Sequence, residues 1–139
     1  MIFLVIILLL IDQVTKLIVA LKLQINQSIT IIPRHLKITS IRNKGAANGI
    51  LEGERSLLII ISLIATFIFS YLLITEKSST IALIFIVSGT VGNLIDRIFR
   101  GEVIDFIAIK CFNYEFPIFN FADFYLLLGM IIFLFYEII

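Results

Sequence analysis

Two aspartates set in apolar surroundings are the residues most able to do chemistry. Asp105 lies in "GEVIDFIAIK" and Asp123 in "FNFADF", at the start of an apolar run that continues to residue 139. Two carboxylates brought within a few ångströms cannot both ionise comfortably, so one keeps a proton. The ionised partner can then take a proton from water while the protonated one polarises a carbonyl, which is hydrolysis of the aspartic-protease kind. Spacing alone does not bring these two residues together. Asp123 also has a second reading, because Asn120 is a good helix N-cap and an acid three residues later resembles a capping box. The positive end of a helix dipole would favour an anion at the same place. On the residues alone, capping and catalysis stand side by side.

Other charged residues sit where a lipid environment would resist them. An Asp, Lys or Arg at the centre of a membrane span costs roughly 2.5–3.5 kcal/mol on insertion scales. Asp12 and Lys16 are four residues apart, share a helix face and can pair, either to ease insertion or to present a polar stripe to other helices. In "SGTVGNLIDRIFRGE", Gly89, Gly92, Asn93, Asp96, Arg97 and Arg100 recur at spacings of three and four. Small residues there admit a close helix neighbour, and the polar ones hydrogen-bond across the gap. Asp96 and Arg97 point about 100° apart on a helix, so each is expected to bind a group elsewhere, with Asp96 as scaffolding. Such stripes also suit a small transporter or proton-conducting subunit, or an assembly factor that binds partner helices. His35 is the single histidine, which argues against zinc and against a Ser-His triad for Ser88 or Thr90. "GTVGN" reads as packing glycine and not as a phosphate cradle.

These residues need elements to hold them, and the composition says which solvent those elements meet. Of 139 residues, 60% are hydrophobic and 15% charged, against roughly 45–50% and 25% in soluble domains. The bilayer is the expected solvent. A net charge of +1 without basic runs gives no reason to expect nucleic acid. Four stretches are long enough to cross hydrocarbon, at about 2–23, 56–75, 80–99 and 119–139. Residues 2–11 look like a signal-peptide core but have no positive region before them, and are read as a retained span. "TEKSST" then forms a tight turn at one face, both termini share that face, and the connections 24–55 and 100–118 share the other. "SITIIP" and "HLKITSIRN" predict two short strands whose apolar side (Ile29, Ile31, Leu36, Ile38) lies on the membrane surface. Residues 100–118 read as a partly interfacial segment, and Cys111 as a small buried or interfacial hydrophobe. Lys22, Arg34, Lys37, Arg42, Lys44, Arg55, Arg100 and Lys110 all fall in or beside the long connections. Only Lys77 stands out on the other side, so the positive-inside rule would place the long connections in the cytoplasm.

Taken in order, the motifs resemble those of the lipoprotein signal peptidase (signal peptidase II) family. "DQVTK" looks like its Asp-x-x-x-Lys motif, "RNKGAANG" its Asn-x-Gly-Ala-Ala loop, and "GTVGNLIDR" its Gly-x-x-Gly-Asn-x-x-Asp-Arg motif. "EVIDFI" is similar to Val-x-Asp-Phe and "FNFAD" to Phe-Asn-x-Ala-Asp. The resemblance implies an all-α membrane protein, a four-transmembrane-helix bundle carrying a small β element over residues 24–44. A mobile interfacial helix or loop over 100–118 would complete it on the extracytoplasmic side. It implies an aspartic endopeptidase that removes the signal peptide from diacylglyceryl-modified bacterial prolipoproteins, cutting before the lipidated cysteine. Asp105 and Asp123 would be catalytic; because a helix N-terminus favours the charged form of Asp123, Asp105 is the better candidate for the shared proton. Asn43, Asn93, Asp96, Arg97 and Asn120 would line or brace the site, supported by Asp12 and Lys16. No metal or organic cofactor is implied, and the partners are prolipoprotein and membrane lipid, met by a monomer. The resemblance also places the chain in the bacterial cytoplasmic membrane, with cytoplasmic termini and an extracytoplasmic site, against the charge count. Asn48 stands where the family more often has an aromatic, and Ser88 where many members have glycine.

Overall fold

A computed structural model describes residues 1–46, 50–75 and 79–138, with side chains as far as 136. The elements are α1 (Ile2–Lys22), β1 (Ser28–Ile32), β2 (Leu36–Asn43), α2 (Arg55–Thr75), α3 (Thr80–Phe99), β3 (Val103–Cys111), β4 (Tyr114–Glu115) and α4 (Phe121–Ile138). Three helices, α1 to α3, are long and apolar enough to cross a membrane, and α4 is a shorter apolar helix. Parts of the "TEKSST" turn, including Lys77, and the position of Asn48 lie outside the described residues.

The apolar periodicity of α1 and α2 leaves their outer faces bare. Phe3 and Leu21 on α1 are each 77% exposed, and Ile74 on α2 is 79% exposed. In water such surfaces would be unfavourable; in lipid they are the expected boundary. Polar positions turn inward instead: Asp12 and Lys16 are fully buried. The interior helix is α3, which packs against α1, α2 and α4. Its core joins Leu83, Ile84 and Val87 to Leu73 of α2 and, from α1, Val5 and Leu8.

The small-residue stripe of α3 sets how closely α4 approaches. A Cβ at Gly89 would lie 2.4 Å from the Ala122 carbonyl oxygen and 2.7 Å from Leu126 Cγ. Gly129 of α4 answers it, since a Cβ there would lie 2.8 Å from the Ala82 carbonyl oxygen. Ser88 is buried and turns its Oγ back to the Ile84 carbonyl at 2.7 Å, so it fits where a glycine is common. Gly89→Ala is expected to force the two helices apart and lower stability by about 1–3 kcal/mol. Ser88→Ala, which loses one intrahelical bond, should cost less. Thermal unfolding of the two variants in the same detergent checks the order.

The sheet differs from the sequence expectation in one respect. Residues 100–118 do not form an interfacial helix or loop; they supply β3 and β4, which extend the two predicted strands to an antiparallel sheet ordered β1-β2-β3-β4. The physical reason is the β-branched run "VIDFIAI", which finds a partner in β2 from Leu36↔Ile109 to Asn43↔Val103. Ile104 and Phe106 pack on Val19 and Leu23, tying the sheet to the end of α1. Cys111, expected as a buried or interfacial hydrophobe, is exposed where β3 runs out into its turn. Of the predicted apolar side, Ile29 and Ile31 are exposed, while Leu36 and Ile38 are half-buried.

Candidate active site

Asp105 and Asp123 meet because two non-local pairings bring their segments together. A register shift in β2 between Ile38 and Ile41 sets Asp105 opposite Ile41, diagonal to Asn43 on the same face. Phe119 then ties the approach to α4 onto β3: the Phe106 and Ile107 N–H groups donate to its carbonyl at 3.0 and 2.8 Å. The next residue, Asn120, therefore lies beside Asp105, and α4 starts there.

Asn120 touches both carboxylates. Its Nδ2 donates to Asp105 Oδ1 at 2.7 Å, and its backbone N–H donates to Asp123 Oδ2 at 3.2 Å. Its Oδ1 accepts from the Asp123 N–H at 2.9 Å, which completes a reciprocal capping box. Capping and convergence with Asp105 are thus achieved by the same residues. Asn43 Nδ2 donates to Asp105 Oδ2 at 2.9 Å, and Asn93 Nδ2 donates to Asp123 Oδ1 at 2.7 Å. Each carboxylate therefore has both oxygens engaged by amides. Removing the Asn120 side chain would free the start of α4 and one oxygen of Asp105 together. Asn120→Ala is expected to slow turnover about 100-fold, since misplacement of about 1 Å has that effect, with a stability loss of about 1 kcal/mol. Steady-state rates and an unfolding curve on one preparation separate the two effects.

Behind this layer lies a buried ionic hub. Lys16 Nζ donates to Asn93 Oδ1 at 3.1 Å and forms ion pairs at 2.8 Å with both Asp12 Oδ2 and Asp96 Oδ2. Asp12 Oδ1 accepts from the Ala122 N–H at 2.9 Å, so α1 helps cap α4 one residue before Asp123. Arg100 pairs with the other oxygen of Asp96 and donates to Gln13 Oε1 at 2.9 Å. Gln13 Nε2 reaches Asp12 Oδ2 at 3.0 Å and the Gly92 carbonyl at 3.1 Å. Two acids and two cations balance in charge. As expected, Asp96 and Arg97 form no direct ion pair with each other; Arg97 Nη2 donates to the Gly45 carbonyl at 3.2 Å. Gln13 and Arg55 were missed from sequence. Gln13 carried a signal, being a polar side chain inside an apolar span. Arg55, which caps the carbonyls of Arg97 and Ile98 at 2.9 Å each, carried none.

The two carboxylates open on one cavity of about 270 Å³. Asn43, Asn93 and Arg97 form its polar side; Ala46, Ile118, Phe119 and Leu126 form an apolar wall. Burial, and then the charge of Asp123, push the Asp105 carboxyl up to about 6, against the opposing donors Asn43 and Asn120. A carboxylic acid proton near neutrality, beside a second carboxylate, is what acid–base hydrolysis requires. Of the nine site residues expected from sequence, Asn43, Asn93, Arg97, Asp105 and Asp123 line this cavity, Asp12, Lys16 and Asp96 form the hub behind it, and Asn120 joins the two carboxylates.

Comparison with known proteins gives one consistent result. A family model described as signal peptidase (SPase) II matches residues 4–139. A lipoprotein signal peptidase of Staphylococcus carnosus is 42% identical over 134 residues, 94% of this chain and 84% of that protein. One from Staphylococcus aureus is 44% identical over 125 residues, 87% of this chain and 77% of that protein. A solved structure described as a bacterial membrane enzyme at 2.3 Å superposes with a TM-score of 0.93 and 39% identity. It covers 99% of this chain and 86% of its own. A second, at 1.9 Å, gives a TM-score of 0.87 and 40% identity, covering 96% and 89%. The transporter and assembly-factor readings find no support among these relatives.

Proposed function

Because the chain belongs to the signal peptidase II family, it removes signal peptides from prolipoproteins, and we propose that it does so as an aspartic endopeptidase with Asp105 and Asp123 as the catalytic pair. The observation that carries this reading is Asn120, which holds both carboxylates at a single cavity.

In this mechanism a water molecule sits between the two acids. Asp123, as the ionised partner, takes its proton while the water oxygen forms a bond to the scissile carbonyl carbon. Asp105 gives its proton to the carbonyl oxygen, yielding a tetrahedral diol. Collapse breaks the C–N bond: Asp123 passes its proton to the leaving amine, and Asp105 recovers one from the diol hydroxyl. The buried amides of Asn43 and Asn93 hold the acids in register, and the Arg97 guanidinium stands in the cavity near the developing charge. The apolar wall suits the end of a signal helix and the acyl chains of a diacylglyceryl-modified cysteine. Cleavage before that cysteine is the finer part of the proposal.

Four spans, cytoplasmic termini and a site at the outer face of the bacterial cytoplasmic membrane follow from the same reading, with α4 as the fourth span. The chain acts as a monomer, with prolipoprotein as substrate and lipid as surroundings. Several of the cations that opposed this orientation are held internally: Arg42 is 3.5 Å from Glu102, and Arg55 caps α3.

The pH dependence has a definite sign. Asp105 must carry the proton, so kcat/KM of the free enzyme falls as pH rises through about 6. A turning point in the ordinary aspartate range would remove Asp105 from the acid role. The assay is cleavage of a diacylglyceryl-modified prolipoprotein by the reconstituted protein, with unmodified prolipoprotein as the comparison. Equal cleavage of both would refute selection for the lipidated cysteine.

A further inference from the structure

The far end of the sheet carries a feature that the peptidase chemistry does not use. Leu36 pairs with Ile109, and the Lys110 N–H donates to the His35 carbonyl at 2.8 Å, so the turn before β2 and the turn after β3 close the same end of the sheet. Asp105 is near the opposite end; at about 3.3 Å per residue, Cys111 lies about 20 Å along β3 from it. The turn after β3 exposes Phe112, at 92%, and the adjoining end of β1 exposes Ile31, at 55%. Phe112 also has φ +53°, a left-handed conformation that disfavours a bulky residue, so neither burial nor turn geometry explains a phenylalanine there. An exposed apolar track leads to this end from α1, through Leu21, Ile25 and Ile29.

Cations gather beside it. A groove of about 1070 Å³ over the same end is lined by Arg34, His35, Lys37 and Lys110, with Glu115 its one acid. Glu115 is already paired with Lys110 at 2.8 Å. Arg34 and Lys37 have no carboxylate within ion-pair distance among the described residues. An exposed phenylalanine lining the same groove as the unpaired cations Arg34 and Lys37 matches a lipid interface, where apolar side chains enter the acyl boundary and long basic ones reach the phosphates.

We propose that this end of the sheet is a second membrane contact, which docks on anionic phospholipid headgroups through Arg34 and Lys37 with Phe112 inserted. It rests on the chain being a membrane protein and not on the catalytic assignment. Docking here fixes the sheet, and with it Asp105, relative to the bilayer surface from which the substrate approaches. It also accounts for a concentration of positive charge in the long connections.

The chain has no tryptophan, so Phe112→Trp supplies a single reporter in the full-length protein. The protein is reconstituted in phosphatidylcholine vesicles with and without phosphatidylglycerol. Emission and quenching by lipids brominated near the headgroup are then recorded. The expected result is blue-shifted, quenched emission in phosphatidylglycerol vesicles that relaxes at high salt. Arg34→Gln and Lys37→Gln in that background should each shift the docked-to-undocked ratio about fivefold, the effect of one cation at an anionic surface. Ile31→Trp provides a second reporter should the first variant misfold, and cleavage in detergent micelles verifies the fold of each. Water-like emission in every vesicle overturns the proposal. So does quenching that ignores both phosphatidylglycerol and the glutamine substitutions, or that appears only when an acidic polypeptide is added.

Discussion

Asp105→Asn and Asp123→Asn are each expected to lower signal peptide removal by about 10³- to 10⁴-fold, the scale of a lost general acid or base. The two losses should not multiply, because a pair sharing one proton fails as a unit when either member is neutralised. The double variant should therefore be about as slow as the slower single one. Neither substitution should unfold the protein. Asn is nearly isosteric with Asp, and the hub formed by Lys16 with Asp12 and Asp96 is untouched. For Asp105 there is an added reason. Its carboxyl is raised to about 6, so the fold binds that proton more tightly than the unfolded chain does. The stability this contributes is lost as pH rises from about 4 to about 6, and Asp105→Asn removes the loss. Above pH 7 this variant should thus be inactive yet at least as stable as the parent. Single-turnover cleavage and unfolding curves on the same samples check both halves.

The second large effect belongs to a residue that never meets the substrate. Lys16→Leu would leave Asp12 and Asp96 facing each other inside the bundle without the ammonium that joins them. Breaking a buried pair by removing one partner typically costs about 3–5 kcal/mol. Arg100 still neutralises part of Asp96, so the damage should fall mainly on Asp12. That carboxylate caps the Ala122 N–H, and Asn93 Oδ1 loses one of its two donors at the same time, keeping only Asn120 Nδ2. The start of α4 would loosen, and activity should fall with stability. Lys16→Leu combined with Asp12→Leu and Asp96→Leu removes the charges together and should recover much of the stability. Recovery of activity is not expected, because the cap on Ala122 stays absent. Detergent unfolding of the single and triple variants tests this, and equal stability of parent and single variant would contradict it.

What could be read from sequence was local, and what could not was set by distant partners. The capping box of Asn120 and Asp123 and the Asp12–Lys16 pair lie within four residues of each other, so residue types and spacing were enough. The glycine stripe of α3 was legible because close helix approach demands small residues whatever the neighbour. β3 was not, because a nine-residue strand here depends on pairing with β2, some 60 residues earlier. Read alone, its apolar and aromatic content looked like a segment lying on a surface. The same limit applies to Asp12, whose second partner is the Ala122 N–H. No spacing rule connects positions so far apart. The convergence of Asp105 and Asp123 needed both the register shift in β2 and the tie made by Phe119, and neither has a sequence signal of its own.

The most direct test of a shared proton is an infrared titration of the purified protein, following the carbonyl stretch that only a protonated carboxyl gives. The expected result is a protonated carboxyl that persists above the ordinary aspartate range and disappears around pH 6, and that is absent from Asp105→Asn. A band that survives in Asp105→Asn, or a parent protein whose carboxyls have all ionised by about pH 4, would contradict it.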